Sequence, residues 1–233
     1  MARRQNESNR QVRKRFQSHT QRQENRLDQR LLFIIACEGE KTERFYFESW
    51  FVCLRDSRQV SARSCIIAPH THTNPTGVLA DLQSYQDDGI TFKDFDQRWI
   101  VIDRDAERTN GGGHTLEDFN TALQQSASSK PPVKVAWSNP CFELWYLLHF
   151  RYQNSGTDRD LIITQLSTEL GFRYDKRASS MFDLTRAKLG DAMRNAKRLY
   201  SSFQSQGISP DQSNPCTTVY QLVEELQNLG GGK

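Results

Sequence analysis

Seven consecutive apolar residues, Leu31-Leu32-Phe33-Ile34-Ile35-Ala36-Cys37, stop abruptly at the polar run Glu38-Gly39-Glu40-Lys41-Thr42-Glu43. A membrane span needs about 20 apolar residues, so this run is too short for one. It also lacks the polar gaps of an amphipathic helix, and it reads as a strand buried on both faces of a parallel sheet. Gly39 permits a tight turn, Thr42 suits the cap of a following helix, and Phe45, Trp50, Phe51 and Leu54 give that helix a buried stripe. Glu38 then falls at the carboxyl end of a buried strand, the edge at which open α/β sheets bind ligands.

The same alternation continues along the chain. Strands are expected at 31–37, 64–68, 98–102 and 133–137, each bounded by Pro, Gly or polar residues. Between them the pattern predicts helices over about 42–55, from Asn74-Pro75-Thr76-Gly77 to Asp88-Gly89, and around Leu116, Phe119 and Leu123. Ser138-Asn139-Pro140 opens a further helix, with Asn139 or Ser138 as its cap, whose continuation Leu144-Trp145-Tyr146-Leu147-Leu148-His149-Phe150 is almost wholly apolar and marks a central packing element. Beyond Arg151 helical spacing recurs over about 158–170, 181–203 and 215–229 without clear strands. The fold class expected is α/β: a mainly parallel four-stranded sheet flanked by helices over 31–150, joined by right-handed crossovers, with a helical part over 151–233 packed on it.

Residues 1–30 carry nine Lys/Arg against Glu7, Glu24 and Asp28, a net of +6, which leaves −3 for the other 203 residues. A basic arm on a mildly acidic body can hold a polyanion near a site that would repel it, or can be a solvated, disordered leader. A hydrophobic fraction of 36% and a mean hydropathy of −0.74 are low, but four Trp, seven Tyr and 13 Phe supply the large side chains of a core. No apolar run has the length of a membrane span and the N-terminus has no secretory pattern, so a cytoplasmic protein without membrane contact is expected. The five cysteines are widely spaced with no C-x-x-C, which suits reduced thiols better than a disulfide framework or a zinc site.

The chemistry gathers on acids. Asp103-Arg104-Asp105 ends the third strand as Glu38 ends the first, and parallel topology puts both ends on one edge. Three carboxylates there form an oxygen-rich pocket for Mg²⁺ or Mn²⁺, able to polarise a phosphodiester, with Glu38 placed to exchange protons. Lys41 and Arg104 beside them either contact phosphate oxygens or offset the acids. Glu143 has two readings, a favourable charge in a first helical turn or a further ligand on the same edge. His70-Thr71-His72 lacks further ligands at metal spacing, His149 reads as a hydrogen-bonded core residue, and Cys141 has no evident His base. The Gly111-Gly112-Gly113 loop lacks a phosphate-binding signature.

A strand followed by Glu-Gly and a later strand followed by Asp-x-Asp resembles the Toprim domain. Cys37-Glu38-Gly39-Glu40-Lys41-Thr42-Glu43, Asp103-Arg104-Asp105 and Ser138-Asn139-Pro140-Cys141-Phe142-Glu143-Leu144-Trp145 together resemble the RloB family, also called AbiLii-like, over roughly residues 31–225. The resemblance implies a Toprim-like core in bacterial antiphage defence and abortive infection, often beside a partner ATPase. It also implies metal-dependent cleavage of RNA (tRNA) or DNA, with Glu38 in the place of the Toprim glutamate and Asp103 and Asp105 in those of its metal-binding aspartates. Where many Toprim proteins carry a third Asp, this chain has Ala106 and then Glu107, an additional ligand or a surface acid. The nuclease reading recruits the basic arm and the cations Arg186, Lys188, Arg194, Lys197 and Arg198 of a C-terminal helix to guide nucleic acid. The alternative is a non-catalytic adaptor or sensor that binds a partner ATPase or nucleic acid. Subunit number is left open.

Overall fold

In the computed structural model, residues 32–57, 59–61, 64–69, 71–104, 115–177 and 180–230 are described. Their order is β1 (Phe33–Cys37), α1 (Thr42–Asp56), β2 (Cys65–Ile67), α2 (Pro75–Gln83), β3 (Gln86–Asp87), β4 (Ile90–Thr91), β5 (Gln97–Asp103), α3 (Leu116–Ser128) and β6 (Lys134–Asn139). There follow α4 (Glu143–Leu148), α5 (Arg159–Leu170), α6 (Met181–Thr185), α7 (Leu189–Ser205), β7 (Cys216–Thr217) and α8 (Val219–Gly230).

Side chains alternate across a strand, and β1 buries both sets. Phe33, Ile35 and Cys37 enter one hydrophobic core, Ile34 and Ala36 the other. β5 divides likewise, with Trp99 and Val101 on the first face and Ile100 and Ile102 on the second. Helices α2 and α3 cover the second face, while α1, α4, α5, α6, α7 and α8 contribute to the first. A sheet covered on both faces has no solvent side to mark, hence the unbroken apolar runs.

The strand order is β2-β1-β5-β6-β7, parallel throughout except at the last pair. Cys37 lies opposite Val101 and Asp103 opposite Ser138, so the carboxyl ends of β1, β5 and β6 share one edge, as expected for a mainly parallel α/β sheet. A fifth strand joins the expected four. β7 pairs antiparallel with Ser138 and Asn139, and at two residues it is too short to have left a periodic signal in a stretch that reads as helix.

Three helix boundaries also differ. α2 ends at Gln83, and Asp88-Gly89 instead turns the β3–β4 hairpin, both residues at positive φ (46° and 79°), as the tight hairpin turn requires. The helix expected over 181–203 breaks into α6, a 3₁₀ turn over Arg186–Lys188, and α7. After β6 the helix begins at Glu143, because Ser138 and Asn139 still belong to the strand. Asn139 caps nothing, and its Nδ2 donates to the Asp211 carbonyl at 3.2 Å.

All six residues of α4 are buried, and Phe142 packs edge-on against both Tyr46 of α1 and Tyr146, which meet each other at a tilt. His149 follows as a core residue, its Nδ1 2.8 Å from the Trp145 carbonyl oxygen, with burial pushing its pKa down to about 4. Four of the five cysteines are buried thiols and Cys53 is exposed. Among the described residues no helix is long and apolar enough to cross a membrane.

Truncation within α4 should therefore be severe. Trp145→Ala is expected to cost about 3–5 kcal/mol, read as a lower urea midpoint at an unchanged slope.

Candidate functional site

Glu38 continues the β1 ladder by one residue, its N–H donating to the Val101 carbonyl at 2.9 Å. Its Oε2 accepts the Asp103 backbone N–H at 3.0 Å, so the two acids at adjacent strand ends are tied together directly. The turn that follows leads into α1. Its cap position is Lys41 rather than Thr42, which is already helical, and no side chain caps the helix. Gly39 sits in this turn for room: a Cβ there would strike the Glu43 carboxylate. Tyr146 of α4 fixes the start of α1, its hydroxyl donating to the Thr42 carbonyl at 3.0 Å.

These elements line a cleft of about 310 Å³ with Glu38, Glu43, Asp103 and Glu143, together with Lys41, Arg159 and Lys176. Glu43, Asp103 and Glu143 are 4%, 5% and 1% exposed. Burial of so many carboxyls favours their neutral forms. Glu43 is pushed up to about 7, first by desolvation and then by the Glu143 charge. Asp103 is raised well above the usual carboxylate range by desolvation and by Glu43, with Arg159 opposing.

Arg159 is the main counter-charge. Its Nη2 donates to Asp103 Oδ2 at 2.8 Å and its Nη1 lies 3.6 Å from Glu143 Oε2. Lys176 approaches Glu143 Oε1 at 3.8 Å, and the Tyr174 hydroxyl reaches the same oxygen at 3.5 Å. Arg159 opens α5, whose Asp158 cap accepts the Leu161 N–H at 2.8 Å. A cation in a first helical turn opposes the helix dipole. Its place is explained by the carboxylates it meets.

The donor set fits a hard divalent cation in kind, since every donor is a carboxylate oxygen. Asp103 Oδ1 and Glu143 Oε2 are buried and accept no hydrogen bond from a described residue, the latter having only the Arg159 guanidinium at 3.6 Å. The side chains as placed do not form a closed ligand shell: among the described residues no three His, Cys, Asp or Glu groups are gathered as a metal site. Arg159 bridges Asp103 and Glu143, where such a shell would have to close.

The expected site residues Glu38, Asp103, Glu143 and Lys41 thus share one cleft, Lys41 being exposed at its mouth. Asp105 and Glu107 lie outside the described residues, as do His70 and the Gly111-Gly112-Gly113 loop. Arg104 continues the β5–β6 ladder through its backbone, its N–H donating to the Ser138 carbonyl at 2.7 Å. His72 pairs through Nδ1 with Asp81 at 2.8 Å. Cys141 is buried and its thiol pushed up, chiefly by desolvation and then by Glu143, which makes it a poor nucleophile. Sequence reading passed over Glu43, Arg159 and Lys176 as site residues. Glu43 stands one helical turn beyond Gly39, a spacing that signals close approach, whereas nothing local announces Lys176.

Residues 33–226 match the family model described as RloB-like protein. No curated protein and no solved structure matches the chain.

The raised carboxyls set a pH dependence. Glu43 moves from 4.5 to about 7 on folding, so its stabilising contribution is complete below the unfolded value and is lost as pH rises through the folded one. Asp103 acts in the same direction, within a cluster that also holds Glu38, Glu143, Arg159 and Lys176. With EDTA present, Glu43→Gln should raise the melting temperature relative to wild type by an amount that grows from about pH 5 to about pH 8. A difference that stays constant across that range would contradict the assignment.

Proposed function

The chain belongs to the RloB-like protein family, and from that membership and the acidic cleft we propose that it is a divalent-metal-dependent nuclease, cutting RNA (tRNA) or DNA in antiphage defence. The observation that carries the reading is the convergence of Glu38, Glu43, Asp103 and Glu143 at the carboxyl edge of a parallel sheet, two of them with raised pKa. Structural needs account for one acid at a helix start, not for four in one cleft. Defence and abortive infection enter through the Toprim-like and RloB resemblance, as does the expectation of a partner ATPase.

In this reading Glu38, Asp103 and Glu143 would hold Mg²⁺ or Mn²⁺, with Asp105, outside the described residues, as a further ligand by the Asp-x-Asp resemblance. When bound, the metal supplies a Lewis acid that polarises the scissile phosphate and stabilises the leaving oxygen. The chain's own residues position and move protons around it. The Asp103 N–H holds the Glu38 carboxylate at the strand end. Glu43, with its pKa raised to about 7 by burial and Glu143, is tuned to exchange a proton near neutrality. Lys41 at the mouth offers a cation to phosphate oxygens.

A second reading has one observation in its favour. Arg159 and Lys176 already balance Asp103 and Glu143, as they would in an adaptor whose acids serve only to dock the C-terminal helices.

Purified protein, supplied with Mn²⁺ and a mixture of tRNA and plasmid DNA, is expected to cut one of them. Glu38→Ala and Asp103→Asn should each lower the rate on the order of 100-fold while the fold persists by circular dichroism. Calorimetric titration of Mn²⁺ should show binding to wild type that both variants weaken. Cleavage and metal affinity untouched by Asp103→Asn would sink the nuclease reading, and absence of acid-dependent metal binding would favour the adaptor.

A further inference from the structure

A second and larger concavity, about 1350 Å³, runs along α5 to the turn 171–177. It shares Lys41 and Lys176 with the acidic cleft, so the two adjoin. Its character is different. Lys41, Arg173, Lys176 and Arg177 face only two carboxylates, Asp160 and Asp175, and the Asp175 side chain is engaged in its own turn, accepting the Arg177 N–H at 2.9 Å.

Phe172 stands in this groove at 50% exposure, the one aromatic among the exposed large apolar side chains of the described residues. It follows Gly171, which ends α5 in the left-handed conformation at φ 75°. An apolar residue at such a helix end commonly folds back on the last turn. Here the next inward-facing ring is Tyr174, which reaches Glu143, and Phe172 is left facing outward.

The cations of the groove also differ from those of the segment 186–198, the 3₁₀ turn and the first part of α7. There Lys188 lies 4.6 Å from the Phe150 ring centre and Arg198 4.3 Å from that of Tyr152. Arg186 and Arg194 pair with Asp183 and Asp191, and Lys197 with Glu224. These five are satisfied within the protein. Arg173 and Arg177 make no ion pair with a described residue.

We propose that this groove is a track for single-stranded nucleic acid, in which Phe172 stacks on an unpaired base while Arg173 and Arg177 take successive phosphates and lead the strand past Lys41 into the acidic cleft. The inference rests on the nuclease reading for its direction but names a separate surface. An exposed ring flanked by unpaired guanidinium groups is how sequence-tolerant single-strand sites are built. A duplex offers phosphates to such a surface but no free base face.

The test is fluorescence anisotropy with the full chain, in EDTA so that nothing is cut, using labelled RNA and DNA single strands of about 12 nucleotides and the corresponding duplex. Residues 1–30 add phosphate affinity of their own, so the ring is the decisive readout. Phe172→Ala is expected to weaken single-strand binding about tenfold and duplex binding by less than about twofold, with Phe172→Trp restoring it. Arg173→Ala with Arg177→Ala should reduce the slope of log affinity against log salt by about 1.4. Arg194→Ala, outside the groove, should change neither. Whichever of RNA and DNA loses more affinity with Phe172 names the sugar.

Equal loss for single strand and duplex, unchanged binding by Phe172→Ala, or displacement by polyglutamate as effective as by unlabelled strand would overturn the proposal. Wild type that binds through Phe172 but never cuts with metal would remove the nuclease reading alone. Cutting that survives with Phe172→Ala binding unchanged would remove the groove alone.

Discussion

The ion pair between Arg159 and Asp103, 2.8 Å long and largely withdrawn from water, is the contact on which the cleft depends. Two like charges 4 Å apart repel by about 4 kcal/mol at an effective dielectric near 20, and a domain's net stability is only about 5–15 kcal/mol. Glu38, Glu43, Asp103 and Glu143 cannot all be ionised in one cleft without cations or protons to compensate. Arg159 supplies one charge to two of them, Lys176 part of another, and the raised pKa values of Glu43 and Asp103 show protons supplying the remainder.

That balance ties the C-terminal helices to the sheet chemically as well as by packing. Arg159 and Lys176 come from beyond residue 150, yet their partners end β5 and begin α4. β7 enters the sheet itself beside β6, and the Asn139 side chain holds the carbonyl of Asp211. Tyr146 closes the circuit from the other side by fixing the first residue of α1. The three sequence stretches richest in chemistry, Glu38 to Glu43, Asp103 and the run from Asn139 to Tyr146, are thus held by contacts that the last third of the chain completes.

Much of this was legible from spacing. Apolar runs without alternation announced strands covered on both faces, and their order announced the parallel edge where Glu38, Asp103 and Glu143 meet. What escaped had physical reasons. A two-residue edge strand has no period, so β7 was hidden in a helical pattern. Asp88-Gly89 is both a helix stop and a hairpin turn, and only the pairing of Gln86–Asp87 with Ile90–Thr91 decides between them. Asn139 has the chemistry of a cap, but the strand extends through it and redirects its amide. Arg159 left a faint local sign, a cation behind an Asp cap where the helix dipole disfavours it. The Asp103 partner that explains it lies 56 residues away.

Charge count alone also misdirects attention to the segment 186–198. The five cations of that segment outnumber the three of the turn 171–177, but aromatic rings and neighbouring acids already occupy them. A cation that is already paired must give up its old contact to make a new one, at a cost of about 0–1 kcal/mol for an exposed pair. The acidic cleft obeys the same exchange. The Arg159 guanidinium and the raised pKa values of Glu43 and Asp103 already offset part of the negative charge there, so the affinity for a further cation depends on pH and on the seat of Arg159 together. The fold therefore couples the protonation of Asp103 and, more weakly, of Glu43 to the placement of α5, since the guanidinium at the start of that helix pairs with Asp103 and its charge opposes the rise at Glu43.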